Sequence, residues 1–193
     1  IDTHTYEAVR TGQVDSKFGT PIETGQAMEL IKNMLTLPAL EVLGFHCHVG
    51  SQVFDGQTFC DSADIMIDFI AEVFKETGFL ARVLDLGGGY GVRYIESDPH
   101  LDIEKSIGSV SEHIKEKCAQ AGVDMPEILL EPGRSIVADS GLTLYTVGSV
   151  KTIKGYKSYV SIDGGMTDNP RYALYGSLYS AAVANRAADK ADF

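Results

Sequence analysis

The sequence predicts an α/β protein with a parallel sheet, followed by a mainly β segment, and three observations carry that prediction. Short apolar runs alternate with stretches of helical periodicity. Three of the runs end in glycine-bearing turns, at Phe45-His46-Cys47-His48-Val49-Gly50-Ser51, Leu86-Gly87-Gly88-Gly89-Tyr90-Gly91 and Leu130-Glu131-Pro132-Gly133-Arg134-Ser135. After Arg134 the helical repeat stops and two β-rich runs follow.

The first helix is signalled by Ala27, Leu30, Ile31, Met34 and Leu35, with Pro38 closing it. Residues 41–46 then read as a buried strand. Phe59, Ala63, Ile67, Ile70 and Phe74 recur at three- and four-residue steps, which gives a helix one apolar face, and Gly78 is its stop. Residues 82–86 form the next strand. Ile103, Ile107, Val110, Ile114, Cys118 and Ala121 repeat the helical pattern between a capping Asp102 and a terminating Gly122. Residues 127–131 make the third strand, and 142–150 and 156–162 are the β-rich runs. This is βαβ order, in which functional residues gather at the C-terminal ends of strands. A closed eight-unit barrel needs about 250 residues, so the residues alone leave two options: a smaller open sheet, or part of something larger.

The chain has 193 residues, 44% of them hydrophobic, enough for an ordinary globular core. Its net charge of −11 argues against a nucleic-acid or anionic-membrane surface, which needs clustered Lys and Arg. Small molecules are the expected partners. Three cysteines, Cys47, Cys60 and Cys118, lack metal-like spacing and are an odd number for a disulfide framework, which fits a reducing cytoplasm. No run approaches the roughly 20 apolar residues of a membrane span, and the opening residues lack the pattern of a leader. Ile1-Asp2-Thr3-His4 reads as a sequence entered partway, so the chain is expected to be an excerpt of a longer one.

The chemistry lies at the strand ends. Gly87-Gly88-Gly89 uncovers backbone N–H groups that could approach a phosphate, although glycines after strands are more often plain tight turns. The spacing matches neither the dinucleotide fingerprint nor a Gly-Lys-Ser/Thr phosphate loop. Glu131 and Arg134 flank Pro132-Gly133, which is either an ordinary ion-paired turn or a functional arc. In the functional reading the carboxylate faces a pyridine nitrogen and keeps it protonated, as carbanion chemistry on pyridoxal phosphate requires. His46 and His48 point to one face. A metal pair lacks a third ligand at suitable spacing, a packed core histidine suits His46, and stacking on a planar cofactor suits His48, with the Ser51 hydroxyl donating to its phosphate. Farther on, Asn169-Pro170 marks a turn, and Arg171 and Tyr175 are either surface residues or a fork and phenol for a substrate carboxylate.

Taken together these segments resemble the diaminopimelate decarboxylase family, pyridoxal-phosphate enzymes of the alanine-racemase-like fold. The resemblance rests on Thr11-Gly12 with Ser16-Lys17-Phe18-Gly19, on His48-Val49-Gly50-Ser51-Gln52, on the triple glycine, on Glu131-Pro132-Gly133-Arg134, and on Asn169-Pro170-Arg171 with Leu174-Tyr175. It implies the late strands of a partial (β/α)8 TIM-type barrel over 1–140 and the beginning of a β domain over 141–193. It further implies that His48 stacks on the cofactor ring, that Ser51, Gly88, Gly89 and Gly133 cradle the phosphate, and that Glu131 holds the pyridine nitrogen. Arg134 would face phosphate or substrate carboxylate, and Arg171 and Tyr175 would bind substrate. The implied reaction is decarboxylation of meso-diaminopimelate to L-lysine by a cytoplasmic homodimer.

The family's Schiff-base lysine belongs to a strand upstream of the segment matching Ile1, and its catalytic cysteine to a Cys-Glu-Ser motif following Phe193. By resemblance the chain is therefore the middle of the enzyme, and the isolated 193 residues are expected to be inactive. The same fold serves decarboxylases of ornithine, arginine and carboxynorspermidine, whose basic substrates want an acidic partner; the cationic Arg171 favours a distal carboxylate. A non-catalytic pyridoxal-phosphate-binding protein is the reading from a different class.

Overall fold

The computed structural model describes residues 14 and 16–189, so the Thr11-Gly12 motif lies outside the described residues. Contacts divide the chain into two compact units. The first comprises residues up to Val92 together with Pro99–Ala138, and the second comprises Arg93–Asp98 with the residues from Asp139 onward.

In the first unit the order is α1 (Gln26–Met34), β1 (Gly44–His46), α2 (Gly56–Thr77), β2 (Val83–Asp85), α3 (Ile103–Ala121), β3 (Glu127–Leu129) and α4 (Arg134–Val137). The three strands pair in parallel in the order β1-β2-β3, with His46 opposite Asp85 and Asp85 opposite Leu129. Each is shorter than the apolar run that signalled it. The backbone nevertheless stays in step beyond the strands: Cys47 donates to the Asp85 carbonyl, Leu86 to Leu129, and Glu131 to Gly87, at 2.9, 3.1 and 2.8 Å.

Helix boundaries follow local chemistry. The Asp55 carboxylate caps α2 by accepting from the Gln57 N–H at 2.9 Å, and Asp102 caps α3 by accepting from Lys105 at 3.0 Å. Gly78 and Gly122 close the two helices in the left-handed conformation. The buried face of α2 runs through Phe59, Ala63, Met66, Ile67 and Ile70, which pack with Leu84 of β2, Leu86 just past it, and Val110 and Ile114 of α3, and on to Val73, which packs with Ile31 of α1. Burying each of these side chains other than Ala63 is worth about 1.5–3 kcal/mol. The ion pairs His113–Asp64 and Lys117–Asp68, which join α3 to α2 at 2.8 and 2.7 Å, are half-exposed and contribute about 0–1 kcal/mol each. The apolar layer therefore holds the helices on the sheet.

Phe74 departs from expectation, being 45% exposed. The stripe passes through Val73 instead, and one residue of helix, a turn of about 100°, carries Phe74 to its margin. Ile107 sits at the margin of α3 in the same way.

The second unit contains β4 (Val147–Ile153) and β5 (Lys157–Ile162), an antiparallel hairpin turning at the left-handed Gly155, and the short helix α5 (Arg171–Tyr175). The expected strand over 142–150 begins only at Val147. The Thr146 N–H donates to the Asp163 carboxylate at 2.7 Å, which fixes the mouth of the hairpin there. Among the described residues no helix is long and apolar enough to cross a membrane.

Candidate active site

The parallel register brings the three strand ends side by side, and the side chains that matter lie on the face shared by His46, Asp85 and Glu131. His46 Nε2 lies 3.1 Å from Glu131 Oε2, so an imidazole on β1 meets a carboxylate two residues past β3 across the central strand. His46 is thus not the packed core histidine expected from sequence. Its side chain is 53% exposed and that of Glu131 is 60% exposed, at the rim where a ligand can reach them. One ligand-type atom from each of His46, Asp85 and Glu131 falls within 4.8 Å of the others. Within this cluster His46 pairs with Glu131, and Asp85 separately accepts from the Gly87 N–H at 2.8 Å.

The triple glycine serves a purpose beyond baring N–H groups. A β-carbon on Gly88 would lie 2.2 Å from the Glu131 carbonyl oxygen, and one on Gly89 would lie 2.0 Å from the Gly50 carbonyl oxygen. One on Gly87 would come within 2.9 Å of His48 Nδ1. The three loops touch backbone to backbone, and only glycine allows it. The Gly88 N–H, expected to face a phosphate, instead donates to His48 Nδ1 at 3.3 Å. That bond leaves the other ring nitrogen to carry the proton of a neutral imidazole. Burial holds the His48 pKa below the usual histidine value, and His46 acts in the same direction against the opposing pull of Glu131 and Asp85. A neutral, oriented ring suits stacking on an aromatic ligand.

At the third strand end Arg134 Nη2 donates to Ser51 Oγ at 2.9 Å, tying the first and third loops by the two groups best suited to an anion. Gly133, the cap of α4, has open space where a β-carbon would be. The donor set therefore fits a phosphorylated aromatic ring: guanidinium and hydroxyl toward the phosphate, Glu131 toward a ring nitrogen, and an imidazole beside them.

Asp85 escaped the sequence reading, and Gln52 entered it only as part of a motif, with no structural task. Asp85 holds the Gly87 N–H as an Asx turn, a signal visible in the Asp-Leu-Gly spacing. Gln52 sits at φ +61° and clamps Val92 twice, Nε2 donating to its carbonyl at 2.9 Å and Oε1 accepting from its N–H at 2.8 Å. Burial pushes the Cys47 thiol up to about 11, away from the thiolate form.

Arg171 and Tyr175 lie in the second unit, one turn apart on α5, with the guanidinium carbon 5.4 Å from the centre of the phenol ring. The Asn169 side chain accepts from the Arg171 N–H at 3.2 Å and starts the helix. Arg171 Nε is buried without a hydrogen-bond partner among the described residues.

Comparison with known proteins gives this arrangement a context. A family model described as pyridoxal-dependent decarboxylase, pyridoxal binding domain, matches residues 1–138. The chain is 44% identical to the diaminopimelate decarboxylase of Bacillus subtilis, over 100% of this chain and 44% of that protein. It is 43% identical to that of Staphylococcus aureus, over 96% of this chain and 43% of that protein. Among solved structures, diaminopimelate decarboxylase from M. jannaschii in complex with L-lysine matches with a TM-score of 0.76 and 34% identity, covering 93% of this chain and 41% of that one. The Helicobacter pylori enzyme complexed with L-lysine matches with a TM-score of 0.78 and 29% identity, over 93% and 42%. The chain thus spans less than half the length of these relatives.

Proposed function

From the premise that this chain belongs to the pyridoxal-dependent decarboxylase family through its pyridoxal binding domain, we propose that it forms the central part of a diaminopimelate decarboxylase. The reaction is loss of carbon dioxide from meso-diaminopimelate to give L-lysine. The observation that carries the reading is the division of labour at the third strand end. Glu131 is turned to His46, and Arg134, three residues on, is turned to Ser51. Bound there, pyridoxal phosphate supplies an electron sink for the carbon that loses its carboxylate.

This chain's residues do the rest. Glu131 holds a proton on the pyridine nitrogen, His48 lies against the ring, and Ser51, Gly89, Gly133 and Arg134 receive the phosphate. Gly88 shapes the loop that orients His48 while closing on Glu131. Arg171 and Tyr175 take the distal carboxylate of the substrate, a role supported by the guanidinium and phenol standing together on α5. A basic substrate such as ornithine or arginine would meet a cation there, which disfavours those alternatives. The protein acts as a homodimer, and a reducing cytoplasm suits its free cysteines Cys47, Cys60 and Cys118.

The test is carbon dioxide release from meso-diaminopimelate, ornithine, arginine and carboxynorspermidine by the native-length protein with pyridoxal phosphate. Release from diaminopimelate alone is expected. Release from a basic substrate alone would reassign the specificity, and release from none would return the chain to a binding role.

A further inference from the structure

We propose that His46 is the positioning residue for Glu131, and that it acts on the reaction only through that carboxylate. The inference rests on the proposed role of Glu131 at the pyridine nitrogen. A glutamate on an exposed turn can take several rotamers, and a strongly attractive competitor, Arg134, lies only three residues away on the same turn. A Glu131–Arg134 pair would withdraw the carboxylate from the ring nitrogen and the guanidinium from the phosphate together. The structure shows both groups directed elsewhere, Arg134 Nη2 to Ser51 Oγ at 2.9 Å and Glu131 Oε2 to His46 Nε2 at 3.1 Å.

His46 is well built for this. It ends β1, in register with Asp85 on the central strand, so its position is set by the sheet and not by a mobile loop. From there it reaches over β2 to a residue of the third strand end. A donor on one carboxylate oxygen fixes the rotamer and leaves the second oxygen for the ring nitrogen. Asp85, whose carboxylate accepts from the Gly87 N–H, flanks the same face, with a carboxylate oxygen within 4.8 Å of the His46 and Glu131 ligand-type atoms. His48, two residues on, is oriented by the Gly88 N–H, so the two histidines have separate tasks.

The experiment uses the native-length protein reconstituted with pyridoxal phosphate, in the variants His46→Phe, His46→Asn, His46→Gln, Glu131→Gln and the His46→Phe/Glu131→Gln pair. Three quantities are read: the absorption spectrum of the bound cofactor, its dissociation constant, and kcat against KM. Phe lacks a donor and Asn is too short to bring one to Glu131. Both should lower kcat about tenfold, the effect of losing a hydrogen bond to a charged group, and move the spectrum in the direction that Glu131→Gln moves it. KM and cofactor affinity should change far less. Gln, whose amide can reach where Nε2 lies, should restore most of kcat. In the Glu131→Gln background His46→Phe should add almost nothing, because the two residues act as one unit.

A kcat and spectrum unchanged by both Phe and Asn would overturn the inference, as would a His46→Phe effect undiminished in the Glu131→Gln background. If Glu131→Gln itself leaves both readouts unchanged, the role given to Glu131 fails first. A silent His46 beside a damaging Glu131→Gln sinks only the positioning role. His46 is half-exposed and outside the core, and far-UV circular dichroism of each variant separates misfolding from the effect sought.

Discussion

Gly88 approaches Glu131 so closely that a β-carbon added to Gly88 would lie 2.2 Å from the Glu131 carbonyl oxygen. The obstacle is backbone on both sides, so neither loop can yield by turning a side chain. Gly88→Ala is therefore expected to destabilise the fold by about 1–3 kcal/mol, the cost of overpacking a tight contact. It should also strip the protein of cofactor by moving the Glu131 turn. Urea midpoints and bound-cofactor content measure the two effects, and a variant with both intact would mean the loops separate freely.

The Arg134–Ser51 pair leads to a prediction about which part of the cofactor they hold. Arg134→Lys keeps the charge but loses the planar fork, and should weaken binding of pyridoxal phosphate about tenfold. Binding of pyridoxal, which lacks the phosphate, should hardly change. Equal losses for both ligands would instead assign Arg134 to substrate or to loop structure.

His48 gives the site a pH dependence whose sign follows from its environment. Burial lowers its pKa in the folded protein, so the unfolded chain takes up the proton first as pH falls. The resulting stability is fully present above the ordinary histidine value of about 6.5 and is lost as pH drops through the lower folded value. Urea unfolding at pH 7.5 and pH 5.5 should show the wild type losing more stability than His48→Gln. Equal losses would show that His48 protonates freely in the folded state.

Gln52 combines a left-handed backbone with a double clamp on Val92. Gln52→Ala removes both bonds and keeps the unfavourable φ, at a cost of about 1–3 kcal/mol for two hydrogen bonds. Gln52→Gly removes the bonds but relieves the backbone, and should be the milder substitution. Thermal unfolding ranks them, and the reverse order would show that φ contributes nothing here.

On the second unit, Arg171→Ala should raise KM for diaminopimelate about tenfold or more, the effect of losing a charge-assisted contact, with cofactor affinity unchanged. Steady-state kinetics beside a cofactor titration decides it. An unchanged KM would return Arg171 to the role of a cation stacked on Tyr175.

By itself the sequence determined what is local or periodic. Asp102 and Gly122 delimit α3, Gly78 ends α2, and the apolar steps from Phe59 to Ile70 mark the buried face, because caps and helical periodicity act within a few residues. The placement of the motifs was equally legible: His48, Ser51, Glu131 and Arg134 all stand just past the C-terminal ends of the parallel strands. Tertiary structure alone decided who partners whom. His46 reads as a core residue until the β1-β2-β3 order brings it across the sheet to a carboxylate 85 residues away, and the Gly88 N–H reads as open backbone until His48 arrives beside it. Such pairings depend on strand order and register, which join residues far apart in the chain, and no spacing along the chain encodes the distance between them.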